Sequence, residues 1–117
     1  MSSRRTPSIQ RAISVRQPFA ELILRGSKTI EYRSRRTTLR ERVYIYASQT
    51  PSEEAVFEQA GMRVDELLTG VIVGSVEIIN CTGEDGNYEW HLARPKRVKK
   101  SLEPKNHPQP SIWRPQF

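Results

Sequence analysis

Lys28, Glu31 and Arg33 stand close together after Gly26. A lysine ammonium is a strongly hydrated point charge suited to a phosphate, and an arginine offers a planar fork for bidentate contact with a phosphate or a base edge. Glu31 precedes Arg33 by two residues, so on a strand both share one face, where the carboxylate orients the guanidinium or accepts from a base amine. The same residues also read as a surface ion pair beside a solvated lysine, worth only ~0–1 kcal/mol. A second carboxylate, Glu77, interrupts the apolar run from Val71 to Ile79. On the face of Val71, Val73 and Ser75 it would be held near the core, where burial raises a carboxylate's pKa toward the range of acid-base catalysis. Glu31 with Glu77, or Lys28 with Glu77, is then a candidate pair for general acid-base catalysis. The alternative for Glu77 is an ion pair with a neighbouring arginine on the wall of a barrel. Cys81 is the single cysteine, and with His91 and His107 it makes neither an internal disulfide nor a closed zinc set. No metal or other cofactor is expected.

The elements that must position these groups are legible in the hydrophobic pattern. Ala12 to Arg16 alternates as a short strand, and Pro18 and Gly26 mark the first position and the end of a helix about two turns long, with Phe19, Leu22 and Ile23 on one face. Glu21 and Arg25 form an i,i+4 pair on its surface. Thr29 to Arg35 alternates with a period of two. It places Ile30 and Tyr32 on a buried face and Glu31, Arg33 and Arg35 on a charged one. Arg42 to Ser48 is a second strand, with Val43, Ile45 and Ala47 opposite Tyr44, Tyr46 and Ser48. Thr50 as N-cap, Pro51 at the first position and Glu53 at the third announce a second helix that Gly61 stops. Met62 to Thr69 adds a helical turn, and Val71 to Ile79 is the strongest strand, in which Gly74 marks a bulge or a close approach of backbones. A turn from Gly83 to Asn87 leads into Tyr88 to Leu92. After residue 94 come five of the eight prolines, so the segment 94–117 reads as an extended basic tail with an edge strand at Ile112 and Trp113.

A chain of 117 residues is long enough for one domain, expected over residues 12–117 behind a flexible basic arm at 1–11. No apolar run approaches a membrane span and no leader pattern opens the chain, so a soluble, cytoplasmic protein with no membrane partner is expected; the oligomeric state is open, a monomer being favoured. The net charge of +6 is segregated: residues 1–42 carry +8, residues 43–89 carry −8 and residues 90–117 carry +6. If the fold joins the two ends they build one basic face, which invites a polyanion, while the middle builds an acidic face suited to a protein partner. Arg16, Arg35, Arg36 and Arg40, with Lys96, Arg97, Lys99 and Lys100, are candidate contacts to a phosphate backbone. Tyr44, Tyr46, Trp90 and Trp113 are candidates to stack on unpaired bases, although Trp90, alternating with Tyr88 and Leu92, is better placed in the core. Several short strands with two or three small helices give an α+β fold in which a curved sheet closes into a partial barrel.

The stretch Ser14-Val15-Arg16-Gln17-Pro18-Phe19-Ala20, followed by Gly26-Ser27-Lys28-Thr29-Ile30-Glu31-Tyr32-Arg33, resembles the ASCH family, named for its homology to the activating signal cointegrator. The resemblance runs on through Val43 to Ser48, Gly70 to Cys81, Tyr88-Glu89-Trp90 and Ile112-Trp113-Arg114-Pro115. It implies a PUA-like, partly closed β-barrel with a cleft beside the first helix, and binding of RNA or other nucleic acid, with single-stranded DNA as a second ligand. The residues it points to for that cleft are Arg16, Gln17, Lys28, Glu31, Arg33, Arg35, Arg36, Tyr46, Ser48 and Trp113, Gln17 aiming its amide at a base. Some relatives are hydrolases acting on nucleic acid or on modified nucleosides. In the amidohydrolase relatives a nucleophilic threonine stands three residues after the lysine; here that position is Glu31, and Thr29 adjoins Lys28 instead. The alternative function is therefore a small hydrolase with Lys28, Glu31 and Glu77 as catalytic candidates, acting on RNA or a modified nucleoside.

Overall fold

The alternating runs form strands β1 (Ala12–Val15), β2 (Ile30–Arg33), β3 (Arg42–Ala47), β4 (Val71–Glu84), β5 (Asn87–Leu102) and β6 (Ile112–Trp113). Helices α1 (Phe19–Leu24) and α2 (Glu54–Gln59) and a 3-10 turn at Val64–Glu66 complete the elements among the described residues. The computed structural model describes residues 8–117, so most of the basic arm expected at 1–11 lies outside the described residues. All six strands join one sheet in the order β2-β5-β4-β3-β1-β6. β1 runs parallel to β3 and every other pairing is antiparallel. The fold is α+β, and the curled sheet is a partly closed barrel of the PUA-like kind.

The curl has local causes. Pairing slips between Ile45 and Tyr46 where β3 meets β4, and again beside Gly74, Glu77 and Asn80 where β4 meets β5. Each slip bends the strand and increases its twist. At Gly74 a Cβ would collide with Leu24 Cδ2 of α1 and with the Lys96 carbonyl oxygen of β5, which is the close backbone approach that the lone glycine announced. The hairpin between β4 and β5 turns on Asp85 and Gly86, both left-handed at φ 51° and 80°, as a tight two-residue turn requires.

Inside the curl α1 contributes Ala20 and Ile23 to a core shared with Ile13, Val15, Val43, Ile45, Val76, Ile78, Trp90 and Leu92. Burying a side chain of that size stabilises the fold by roughly 1.5–3 kcal/mol. A smaller cluster of Ala12, Tyr46, Ile72 and Trp113 packs beside β6. Because β6 pairs with β1, with Ala12 opposite Trp113, the two ends of the chain are joined.

Four sequence expectations change. Pro18 is the N-cap of α1 rather than its first residue, and the peptide bond before it is cis. α2 begins at Glu54 with Glu53 as N-cap, not at Thr50. The reason is the Ser52 N–H, which donates to the Gln17 carbonyl at 2.9 Å and holds the chain extended there. The segment from residue 94 is extended as expected, but its first part belongs to the sheet and not to a tail: β5 continues to Leu102. Pro95 is tolerated because it sits where β5 bulges opposite Ser75 and Glu77, with Arg94 at φ 53°, a place where the ladder loses no donor. In β2 the alternation is right and its polarity is reversed. Tyr32 is 65% exposed, while the Glu31 and Arg33 side chains are only 12% and 15% exposed. Among the described residues no helix is long and apolar enough to cross a membrane.

Candidate functional site

The reversed face of β2 builds the site. β2 is one edge of the sheet, and β1 with β6 forms the other. Arg33 spans the gap: its Nε donates to Glu31 Oε2 at 2.8 Å, one terminal nitrogen donates to the Ser14 carbonyl of β1 at 2.6 Å, and the other to the Pro110 carbonyl before β6 at 3.2 Å. The guanidinium also lies 5.3 Å from the ring centre of Trp90, within cation–π range. Trp90 is itself fixed, since its indole N–H donates to the Arg35 carbonyl at 2.9 Å. Arg33 thus acts as a clasp between sheet edges that backbone hydrogen bonds leave unpaired. A guanidinium carries five N–H groups, so with three of them engaged, two remain.

Above this clasp opens a cleft of about 560 Å³. One wall is the end of β1 and the start of α1, with Arg16 and Phe19; another is the end of β3 with Tyr46 and Ser48; the third is the tail from His107 to Pro110; Glu31 and Arg33 lie between them. Arg16 is exposed and forms no ion pair among the described residues. The cleft therefore presents two guanidinium groups, one carboxylate, hydroxyl groups and an aromatic ring, and formal charge there is positive by one. A wider depression of about 800 Å³ lies between Tyr32, Ser34 and the β4–β5 hairpin. Its walls carry Glu84, Asp85 and Glu89 against Arg33, which is the wrong sign for a polyanion.

Of the residues expected at the site, Arg16, Glu31, Arg33, Tyr46 and Ser48 come together in the cleft. The others stand apart. Lys28 sits behind the cleft wall, its ammonium 3.5 Å from Glu31 Oε1 and over the rings of Phe19 and Tyr32 at 5.3 and 5.2 Å. Gln17, expected to aim at a base, is 2% exposed. Its Nε2 donates to the Leu68 carbonyl and its Oε1 accepts from the Glu21 N–H, both at 3.0 Å, so both ends of the amide are spent on backbone. Arg35 and Arg36 are exposed on the turn after β2 and do not line the cleft. Tyr46 and Trp113 are not free to stack on a base: they pack edge to face at 5.4 Å and are 3% and 5% exposed. Burial, reinforced by Glu103, pushes the Tyr46 hydroxyl above its ordinary value.

Glu77 is a correction of a different kind. It lies opposite Arg42 at the start of β3, whereas the cleft lies at the end of that strand, roughly 15 Å away at 3.3 Å per residue. Arg94 binds its carboxylate, with Arg42 3.8 Å away. These arginines, Arg94 first, hold the carboxyl below its ordinary range, the reverse of what burial near the core would do. Glu77 is a barrel-wall ion pair and not a partner of Glu31 in catalysis. Among the tail cations, Arg97 is likewise committed, donating to both Glu21 carboxylate oxygens at 2.8 and 2.9 Å.

Sequence reasoning missed Ser14 and His107. Ser14 Oγ donates to the Gln109 carbonyl at 2.8 Å and accepts from the Trp113 indole at 3.1 Å, tying β1 to the tail. These contacts join residues 95 and 99 positions apart, a separation that no local pattern encodes. His107 lines the cleft as part of the segment that this tie helps to hold.

The sequence profile of the ASCH domain matches residues 13–104, a span that runs from within β1 to just past the end of β5 and contains the whole Gly26 to Arg33 block. No curated protein matches the chain. ASCH domains are a nucleic-acid-binding family of PUA-like fold. The agreement of block, half-barrel and profile leads to one conclusion: the chain belongs to the ASCH domain family.

Proposed function

We propose that the chain is an RNA-binding module whose cleft holds a strand at Arg16, Glu31 and Arg33. The observation that carries this reading is the convergence, in one cleft of about 560 Å³, of two guanidinium groups, a carboxylate and the Phe19 ring. That volume falls within the ~300–1,000 Å³ of sites that hold a single small ligand, which here matches a nucleotide. Arg16 at the rim meets phosphate, and its contact positions the strand without reading it. The two free N–H groups of Arg33 and the Glu31 carboxylate offer a donor and an acceptor to a base edge. Lys28 supports the site from behind by adding positive charge beside Glu31. Arg35 and Arg36 extend the cationic surface along the turn.

Fluorescence anisotropy of a labelled single-stranded RNA, titrated at two salt concentrations, tests the reading. Binding is expected to saturate and to weaken with salt at a slope of about −0.7 per neutralised phosphate. Arg16→Ala should reduce that slope by about 0.7 at an unchanged melting temperature. Absence of binding at low salt would overturn the proposal. A second reading, cleavage of the strand, rests on His107, which brings an imidazole into the same cleft as Glu31, and an imidazole and a carboxylate are side chains able to divide the roles of general acid and base. The same mixtures run on a denaturing gel separate the two, since a binding module leaves the strand intact and a ribonuclease shortens it.

A further inference from the structure

We infer that residues 107–110 are a strap that restricts the cleft to an unpaired nucleotide, so that the domain takes single strands and refuses duplex; this rests on the RNA-binding reading above. The strap lies beyond residue 104, outside the span that matches the ASCH profile, yet it supplies a whole wall of the cleft.

The strap is built to stay in place. At its base the Asn106 side chain donates to the Arg114 carbonyl at 2.8 Å and accepts from the Gln116 N–H at 2.7 Å, while the Lys105 N–H donates to the Gln116 carbonyl at 2.6 Å. At its crown, Ser14 Oγ donates to the Gln109 carbonyl at 2.8 Å and Arg33 donates to the Pro110 carbonyl at 3.2 Å. Pro108 and Pro110 fix φ at two of its four positions and remove two backbone donors. The strap thus faces the cleft as a stiff wall.

The shape that results selects the occupant. With Arg16 and Phe19 on one side and the strap on the other, a ligand that meets the Arg33 and Glu31 groups lies between these walls. A-form RNA presents a wide, shallow minor groove and is recognised from outside by its shape, whereas single strands splay their bases into protein pockets. A nucleotide that is already unpaired enters without the few kcal/mol that extrusion from a helix costs.

The test compares three labelled RNAs: a single strand, the same strand annealed to its full complement, and that duplex with one bulged nucleotide. The full chain is expected to bind the single strand at least about tenfold tighter than the perfect duplex, with the bulged duplex between them. In the double variant Pro108→Gly with Pro110→Gly, which loosens the strap without changing charge, the preference should fall below about threefold while the thermal unfolding transition is retained. Asn106→Ala, which frees the strap at its base and touches nothing in the cleft, must shift the ratio the same way. A folded variant that keeps the full preference overturns the strap. A wild-type chain that binds both forms equally also overturns it but leaves RNA binding standing. A wild-type chain that binds none of the three RNAs overturns both.

Discussion

At the residue scale the instructive side chain is Arg33, because its position suggests a reader of nucleic acid and its hydrogen bonds make it a clasp. Two of its three acceptors are backbone carbonyls from distant parts of the chain, so the fork geometry of a guanidinium is what the site needs and charge alone does not suffice. Arg33→Lys keeps the charge and loses the fork. It should lower stability by about 3 kcal/mol, as hydrogen bonds from a charged donor at ~1.5–3 kcal/mol each are lost, read as a fall in the urea midpoint. An unchanged midpoint would reduce Arg33 to a simple phosphate contact. The types and spacing of Lys28, Glu31 and Arg33 were legible in the sequence, and so was their shared face with its period of two. The direction of that face was not. A strand with charges on one side normally turns them to water, and only the gap between the two sheet edges explains why Glu31 and Arg33 turn inward and Tyr32 outward. Gln17 shows the same limit, since an amide that caps a helix and one that reads a base are identical in sequence. Its burial and its two backbone partners decide the matter.

At the scale of elements the strands were the readable part, through alternation in β2 and through a continuous apolar run in β4, where Ile72 to Val76 are all buried. The edge strand at Ile112–Trp113 was legible in a proline-rich tail, as was the turn around Asp85-Gly86. Element ends were harder to read. The start of α2 is set by Ser52 bonding to Gln17, and the continuation of β5 past Pro95 depends on a bulge shared with β4; both are tertiary events that override a correct local signal. Gly74 lies at the junction of these elements, between α1 and β5. Gly74→Ala adds one methyl group where Leu24 and the Lys96 backbone already sit. Leu24 has room to turn, but a strand carbonyl does not. The expected cost is about 2–3 kcal/mol, at the upper end for overpacking, which for a chain of this size lowers the melting temperature by roughly 10–20 °C. A melting temperature within about 2 °C of wild type, less than ~0.5 kcal/mol at this size, would mean that β4 and β5 separate more easily than their packing suggests.

At the scale of the whole molecule the charge is segregated along the sequence, but among the described residues part of the C-terminal block is spent on internal ion pairs. β6 joins β1, while the tail cations on β5 are partly spent internally, Arg97 on the Glu21 carboxylate of α1. That pair fastens the helix to the sheet and makes stability depend on pH in a calculable sense. Arg97, and then Arg25, hold the Glu21 carboxyl below its ordinary value of 4.5 even though burial opposes them. A carboxyl whose pKa is lower folded than unfolded stabilises the fold above its unfolded value, and that contribution is lost as pH falls through the folded value. Wild type and Arg97→Gln should therefore differ most near neutral pH, by about 1 kcal/mol, a modest figure because the arginine is half exposed and screened by solvent. The difference should shrink steadily below pH 4.5 as Glu21 becomes protonated in both proteins. Urea unfolding at a series of pH values measures it directly. A difference that stayed constant into acid would assign the loss to the packing of the Arg97 stem against α1 and not to its charge.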